Sequence, residues 1–255
     1  MVRLMSWRTG GFAAALLSAL ALGACGDGSD EGGDGASALP RGSEHVELDP
    51  ADFTTRIDNP YFPLAPGSRW VYRETDTDGT VERVVVTVTR RTKKVAAGVE
   101  ARVVHDVVTA DGEFVEVTDD WYAQDRDGNV WYLGEETAEY ENGKPVSTAG
   151  SFEAGSDGAE AGVIMPADPK VGMRYRQEYY AGEAEDAGQV LSLGEQAEVP
   201  FGHFRDVLVT KDVNPLEPKV LEYKHYARGI GMVLALKASG GGNREELLSF
   251  RRGSF

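Results

Sequence analysis

From residue 69 onward, short runs of β-branched and aromatic residues alternate with Asp- and Gly-containing turns, and helix-period runs with caps are nearly absent. Residues 69–75 precede the turn Asp76-Thr77-Asp78-Gly79, and residues 81–89 follow it. Residues 99–109 place Val99, Ala101, Val103 and Val107 on one face. Ala110-Asp111-Gly112 then turns into residues 113–124, and Asp127-Gly128 turns into residues 129–133. The pattern predicts an all-β body made of antiparallel meanders.

The second half repeats the order of the first. Gly67 and Trp70 match Gly172 and Tyr175, and Val85-Val86 matches Val190-Leu191. Trp121-Tyr122-Ala123 matches His225-Tyr226-Ala227, and Gly128-Asn129-Val130 matches Gly231-Met232-Val233. This predicts an internal duplication, with one copy over about 60–135 and the other over about 165–238, although any two meanders can agree by chance. One meander has a single apolar face and needs a cover, which its copy would supply. The expected result is a sandwich or an open barrel with two similar halves. Residues 136–164, rich in Gly, Ala and Glu, are expected to form a surface excursion between the copies, and residues 244–251 a final edge strand.

The N-terminus is a targeting device. Arg3 and Arg8 precede an apolar stretch over residues 11–22, too short to cross a bilayer but suited to a signal peptide. Leu22-Gly23-Ala24-Cys25 resembles the bacterial lipobox. That resemblance implies cleavage after residue 24, lipid on Cys25 and a membrane as partner, with two or three acyl chains giving durable anchoring. Cys25 is the single cysteine, so no disulfide framework is available. Residues 26–48, rich in Gly, Asp and Ser, are expected to be a disordered tether, leaving residues 49–255 as the β-domain. The body would then sit in the periplasm or on the cell surface, held to the cell membrane or outer membrane.

Removing the signal segment takes away two arginines and no acids, which moves the net charge from −16 to −18. Binding to phosphate backbones rests on Lys and Arg displacing counterions, so nucleic acid is excluded as an expected partner. The mature part also resembles a group of secreted, β-rich bacterial lipoproteins of uncharacterised function. The residues that carry this resemblance are Asp58-Asn59-Pro60-Tyr61-Phe62-Pro63-Leu64 through Trp70 and Tyr72, then Trp121-Tyr122-Ala123-Gln124-Asp125, Val199-Pro200-Phe201-Gly202-His203-Phe204 and Tyr226-Ala227-Arg228-Gly229-Ile230-Gly231-Met232-Val233. It implies no activity.

No metal or cofactor is predicted. His45, His105, His203 and His225 form no ligand-spaced pair, and Asp125-Arg126-Asp127-Gly128-Asn129 departs from the calcium-loop pattern. No nucleophile elbow or phosphate loop is present. One ionisable pair stands out. A three-residue turn at Ala110-Asp111-Gly112 sets His105 opposite Val117, with Asp119 diagonal to it on the face of Val103, Val107 and Trp121. The matching positions in the second half are Val209 and Tyr223, so His105 and Asp119 are the candidate catalytic residues. A structural hydrogen bond, or a bulge at Asp119-Asp120 that turns them outward, is the plainer alternative. Trp70, Trp121 and Trp131 are candidate ligand-binding residues of a cleft, with core packing as the alternative.

Three functions compete. The leading one is a non-enzymatic binding or carrier lipoprotein for an apolar or glycan ligand. The second is a hydrolase or lyase using His105 and the acids Asp119, Asp120, Glu135 and Glu136. The third is a structural lipoprotein that contacts another envelope protein.

Overall fold

The computed structural model describes residues 39–239 and 242–255. The signal segment, Cys25 and the first part of the tether lie outside the described residues. In chain order the strands are β1 (Phe53–Thr54), β2 (Arg69–Thr75), β3 (Val81–Lys94), β4 (Glu100–Ala110), β5 (Glu113–Asp125), β6 (Val130–Glu141), β7 (Lys144–Ser147) and β8 (Phe152–Glu153). They continue with β9 (Glu160–Met165), β10 (Arg174–Arg176), β11 (Glu178–Tyr179), β12 (Ala187–Val199), β13 (Gly202–Val213), β14 (Leu221–Ala227), β15 (Gly231–Ser239) and β16 (Arg244–Arg251). The protein is all-β, and its antiparallel sheet curls into a nearly closed barrel.

The hydrogen-bonded order runs β10-β12-β13-β14-β15-β16-β2-β3-β4-β5-β6-β9-β11. Its two ends are successive pieces of one segment, kinked at Gln177. Arg174–Arg176 pairs with β12, and Glu178–Tyr179 pairs with β9. Closure therefore depends on this segment. The Arg176 side chain donates to the Ala161 carbonyl from Nε at 3.1 Å and Nη2 at 2.6 Å, bridging the seam where ladder bonds are missing. Gly162 lies against the kink, where an added Cβ would fall 2.3 Å from the Gln177 carbonyl.

Three expectations need correction. The edge strand β16 is internal: it pairs with β15 on one side and β2 on the other, joining the two meanders into one wall. A sheet that closes on itself leaves few edges exposed. The excursion over 136–164 contains β7, β8 and β9, and β9 is buried against β6 because its apolar run suits a covered strand. The tether is shorter than residue 48. The Pro40 carbonyl accepts from Arg176 N at 2.6 Å, and the Gly42 and Glu44 carbonyls take the Arg176 guanidinium at 2.6 and 2.7 Å. Leu39, Val46 and Leu48 pack on the core, which repays the order imposed on this stretch.

One end of the barrel is plugged by the chain around residues 57–65. Gln124 Oε1 accepts from the Asp58 and Asn59 amides, and Asn59 Nδ2 donates to the Gly128 and Pro166 carbonyls. Gly229 N donates to Pro60 on the far side. These bonds hold Ile57, Phe62 and Leu64 in the interior, each 2% exposed or less. Phe62 meets Tyr122 edge-on at 5.4 Å, and Tyr122 stacks on Tyr132 at 4.9 Å.

Candidate functional site

Register decides which side chains enter the barrel. The pairs Val86↔Asp106, Asp106↔Thr118, Thr118↔Thr137, Val104↔Asp120 and Asp120↔Glu135 share the inner face, and all of these residues are buried. The alternate residues face out, and His105 and Asp119 are among them. The structure brings that pair together on the outer wall, not in a cleft. His105 Nδ1 and Asp119 Oδ1 are 2.7 Å apart, with side chains 39% and 26% exposed. Arg91 Nη2 reaches both Asp119 oxygens at 2.9 Å. The residues are directly opposed because the turn has two residues, Asp111 and Gly112, both at positive φ, and the register shifts at Val108/Thr109.

The three tryptophans do not share a cleft, which corrects the expectation that they line one together. Trp70 lies in the interior, with Nε1 donating to the Ile230 carbonyl at 2.9 Å and its ring 5.0 Å from Phe250. Trp131 is held on the outer wall by Asp125 Oδ2 and by Phe53 of the strap strand β1. Trp121 alone lines a pocket.

That pocket occupies about 330 Å³ where the wall divides. Beyond Tyr132, β6 leaves β9 and pairs instead with β8 and β7. Its lining includes Lys93, Trp121, Glu135, Glu136, Glu153 and Tyr180. Lys93 Nζ sits 3.3 Å from the Trp121 ring centroid and 2.9 Å from Glu153 Oε2. Gly134, at φ +134°, lets the β8 main chain pass, since a Cβ there would lie 2.3 Å from the Phe152 carbonyl oxygen.

Glu135 connects the pocket to a buried acid cluster. The Tyr132 hydroxyl lies 2.9 Å from Asp120 Oδ1 and 2.7 Å from Glu135 Oε2. A phenol has one proton to donate, so one of these carboxyls must be protonated and donate back. Burial pushes both carboxyls well above the usual range, the charge of Asp106 adds to it at Asp120 and that of Asp120 adds to it at Glu135, while the Tyr132 bond pulls the other way at each. Glu178 is raised well above its ordinary value by burial and by Asp186, Glu135 and Asp120. Burial lifts Asp186 to about 7, against the pull of Lys224. Glu178 Oε2 and Tyr122 OH are buried without a hydrogen-bond partner, as are Gln177 Oε1 and Tyr175 OH on the side of Asp212, whose Oδ2 accepts from Gln177 Nε2 at 3.2 Å.

In the second meander, Lys224 Nζ contacts Asp212 Oδ2 at 2.9 Å and Glu222 Oε2 at 3.1 Å. Burial alone would depress Lys224, but the two carboxylates outweigh it and hold the ammonium charged. Among the described residues, no three His, Cys, Asp or Glu side chains converge as a metal site. Two larger depressions, of about 550 and 390 Å³, are lined by Arg69, Arg90, Arg251 and Arg252 with main chain and offer no proton-sharing pair.

No family model matches the chain, and no curated protein matches it. Solved structures do resemble it in shape. One is described as a "putative exported protein with YmcC-like fold" from Bacteroides fragilis, at 14% identity and TM-score 0.44, covering 76% of this chain and 100% of that one. Another is a "putative lipoprotein" from Parabacteroides distasonis, at 12% identity and TM-score 0.41, covering 76% and 99%. A third is a β-barrel-like protein of domain of unknown function DUF1849 from Brucella abortus, at 16% identity and TM-score 0.39, covering 73% and 97%. At these identities and scores the likenesses say nothing about what occupies the pocket.

Of the acids named from sequence, Asp120 and Glu135 form the site, Glu136 lines its mouth, and Asp119 faces away. Sequence reasoning missed Tyr132 and Glu178. Three residues before Glu135, Tyr132 would face the other side of a regular strand, and the register shift between Asp120 and Tyr122 brings both inward, so no local signal could have found it. Glu178 lies on a two-residue strand with no pattern to read.

Proposed function

We propose that the protein is an exported, lipid-anchored, non-enzymatic binding protein of the cell envelope whose ligand enters the pocket beside Trp121. The observation that carries this reading is the pocket of about 330 Å³ in which Glu135, joined through the Tyr132 hydroxyl to the buried Asp120, meets Trp121, Lys93 and Glu153. An apolar cargo is disfavoured, because the apolar part of the interior is filled by Trp70, Tyr72, Phe62 and Leu64. Native mass spectrometry of protein purified from its own envelope tests the reading. A stoichiometric small molecule, reduced in Glu135→Gln, supports it. A bare polypeptide mass with no thermal shift from any polar ligand counts against it.

A second reading is a hydrolase or lyase, favoured by the two carboxyls of Asp120 and Glu135 that meet on the one Tyr132 hydroxyl. It predicts turnover abolished in both Asp120→Asn and Glu135→Gln, each still folded.

We also read the two meanders as copies of one unit. Trp121-Tyr122-Ala123 on β5 and His225-Tyr226-Ala227 on β14 occupy matching strands of matching order, followed in each case by a glycine turn into β6 and β15. Superposing β2–β6 on β10–β15 tests this. Matched anchors within about 2 Å support common origin, and a shift of register counts against it.

A further inference from the structure

We infer that the end of the barrel where β2 meets β16 carries a second binding site, for the phosphoryl group of a small solute or a lipid headgroup. The inference goes beyond the binding reading above and stands independently of it, because the two sites share no lining residue.

The composition makes this end of the molecule unusual. The chain has 42 acidic residues against 26 Lys and Arg. Yet the two depressions that meet at Arg251 are lined by four arginines and by no Asp or Glu. Arg56, Arg73, Arg91, Arg126 and Arg244 each meet a carboxylate elsewhere on the surface. Among the described residues, the side chains of Arg69, Arg90 and Arg251 meet none. The register sets Arg69 directly opposite Arg251. Trp70, the next residue, turns inward, so the two arginines share the outer face. Like charges opposed in this way destabilise a sheet. An anion held between them reverses the sign of that contribution.

The surrounding main chain fixes these groups. The β3–β4 ladder skips from Val88↔Val104 to Thr92↔Arg102, a bulge that carries Arg90 out of the pairing register and onto the exposed rim. Arg102 Nη1 donates to the Arg90 carbonyl at 3.1 Å and holds it there. The chain after β16 is tied to the turn before β2: Gly253 N donates to Ser68 Oγ at 2.9 Å, and Ser254 N to the Pro66 carbonyl at 3.1 Å. Gly253 lies so close to the main chain of Pro66 and Ser68 that a Cβ has no room. Arg252 is anchored by Nη2 on the Gly229 carbonyl at 2.5 Å and keeps donors to spare. The floor is thus built before any ligand arrives. A carboxylate presents two oxygens and is satisfied by one guanidinium fork. A phosphoryl group presents three oxygens and more charge, which suits forks arriving from β2, β3 and β16. The larger depression, of about 550 Å³, admits a phosphorylated molecule of sugar or glycerol size.

The experiment is calorimetric titration of the full mature chain carrying Cys25→Ala, at low salt and neutral pH, with glycerol 3-phosphate, and with glycerol and succinate as controls. Glycerol 3-phosphate is expected to bind at one equivalent, with glycerol silent and succinate weaker by about tenfold or more. Arg69→Gln and Arg251→Gln should each weaken binding about tenfold. Neither should lower the melting temperature, since each removes one of two opposed like charges. Arg83→Gln, the same change of charge on an exposed part of β3 nearer the β2–β3 turn, should leave affinity within about twofold. If either site variant fails to fold, Arg90→Gln carries the same expectation of weakening. Flotation with vesicles of phosphatidylglycerol in phosphatidylcholine distinguishes the sources. Vesicle binding that is lost in the same variants assigns a lipid headgroup, and binding of the soluble probe alone assigns a free solute. Four results overturn the inference: no binding of either probe, binding unchanged in the site variants, equal weakening in Arg83→Gln, or succinate binding as tightly as glycerol 3-phosphate.

Discussion

Asp120 and Glu135 meet on one phenol oxygen, that of Tyr132, at 2.9 and 2.7 Å. Two carboxyls and one phenol form this contact only while one of the acids is protonated and donates to the phenol oxygen, so the folded state holds a proton that the unfolded chain would release at neutral pH.

Stability should therefore fall as pH rises. Asp120, Glu135, Glu178 and Asp186 all have folded values above their ordinary ones. Their contribution is complete below about pH 4 and is lost as pH rises through the folded values, near 7 for Asp186. His225, depressed by burial, works in the opposite sense as pH drops through and below its ordinary value. Melting temperature is expected to be lower at pH 8 than at pH 5.5, with a smaller slope in Asp186→Asn. A flat or rising profile would contradict the buried proton.

The outward pair should matter little. His105 and Asp119 are partly exposed, and Arg91 shares the carboxylate. Exposed ion pairs contribute roughly 0–1 kcal/mol. His105→Ala should shift the urea-unfolding free energy by less than about 1 kcal/mol and leave ligand occupancy unchanged.

Arg176 should matter much more. It is 2% exposed and donates to three carbonyls, that of Ala161 on β9 and those of Gly42 and Glu44 in the N-terminal stretch. Arg176→Met fills similar space but leaves the carbonyls without donors, at a cost of about 2–4 kcal/mol. Hydrogen exchange should show residues 39–48 and 160–165 losing protection first.

Two glycines separate space from conformation. At Gly162 a Cβ meets main chain at 2.3 Å, which cannot retreat without opening the seam, so Gly162→Ala should cost more than about 3 kcal/mol or prevent folding. At Gly143, φ is +72° and nothing lies within 4 Å of the added atom. Gly143→Ala should cost only about 1 kcal/mol, because strain at positive φ is its one penalty. Paired thermal melts of the two variants check this difference.

Much of the strand pattern was legible. Arg69–Thr75 and Arg244–Arg251 begin and end where turn residues bound their apolar alternation. β3 runs on to Lys94, past the expected end at 89, because Arg90-Arg91-Thr92-Lys93-Lys94 has no apolar alternation and is strand only through pairing with β4. Pairing partners also explain β9: its apolar run reads equally as loop, helix fragment or strand until β6 lies beside it. The acids Asp120 and Glu135 stood out as candidates by composition, but nothing local revealed that Tyr132 would join them.

Alternation in the sequence determined that these strands have two unlike faces, that Asp-Gly pairs reverse the chain, and that the body carries a large negative charge. It did not determine which face would be inside. A period of two marks the faces but not their direction, and on β4 and β5 the more apolar face, with Val103 and Trp121, proved to be the outer one. Curvature settled the matter: a wall closed at Arg176 and Gly162 buries whatever its concave side carries, and here it buried Asp106, Asp120 and Glu135. Protonation and shared hydrogen bonds make that burial tolerable, and both depend on neighbours brought from distant parts of the chain.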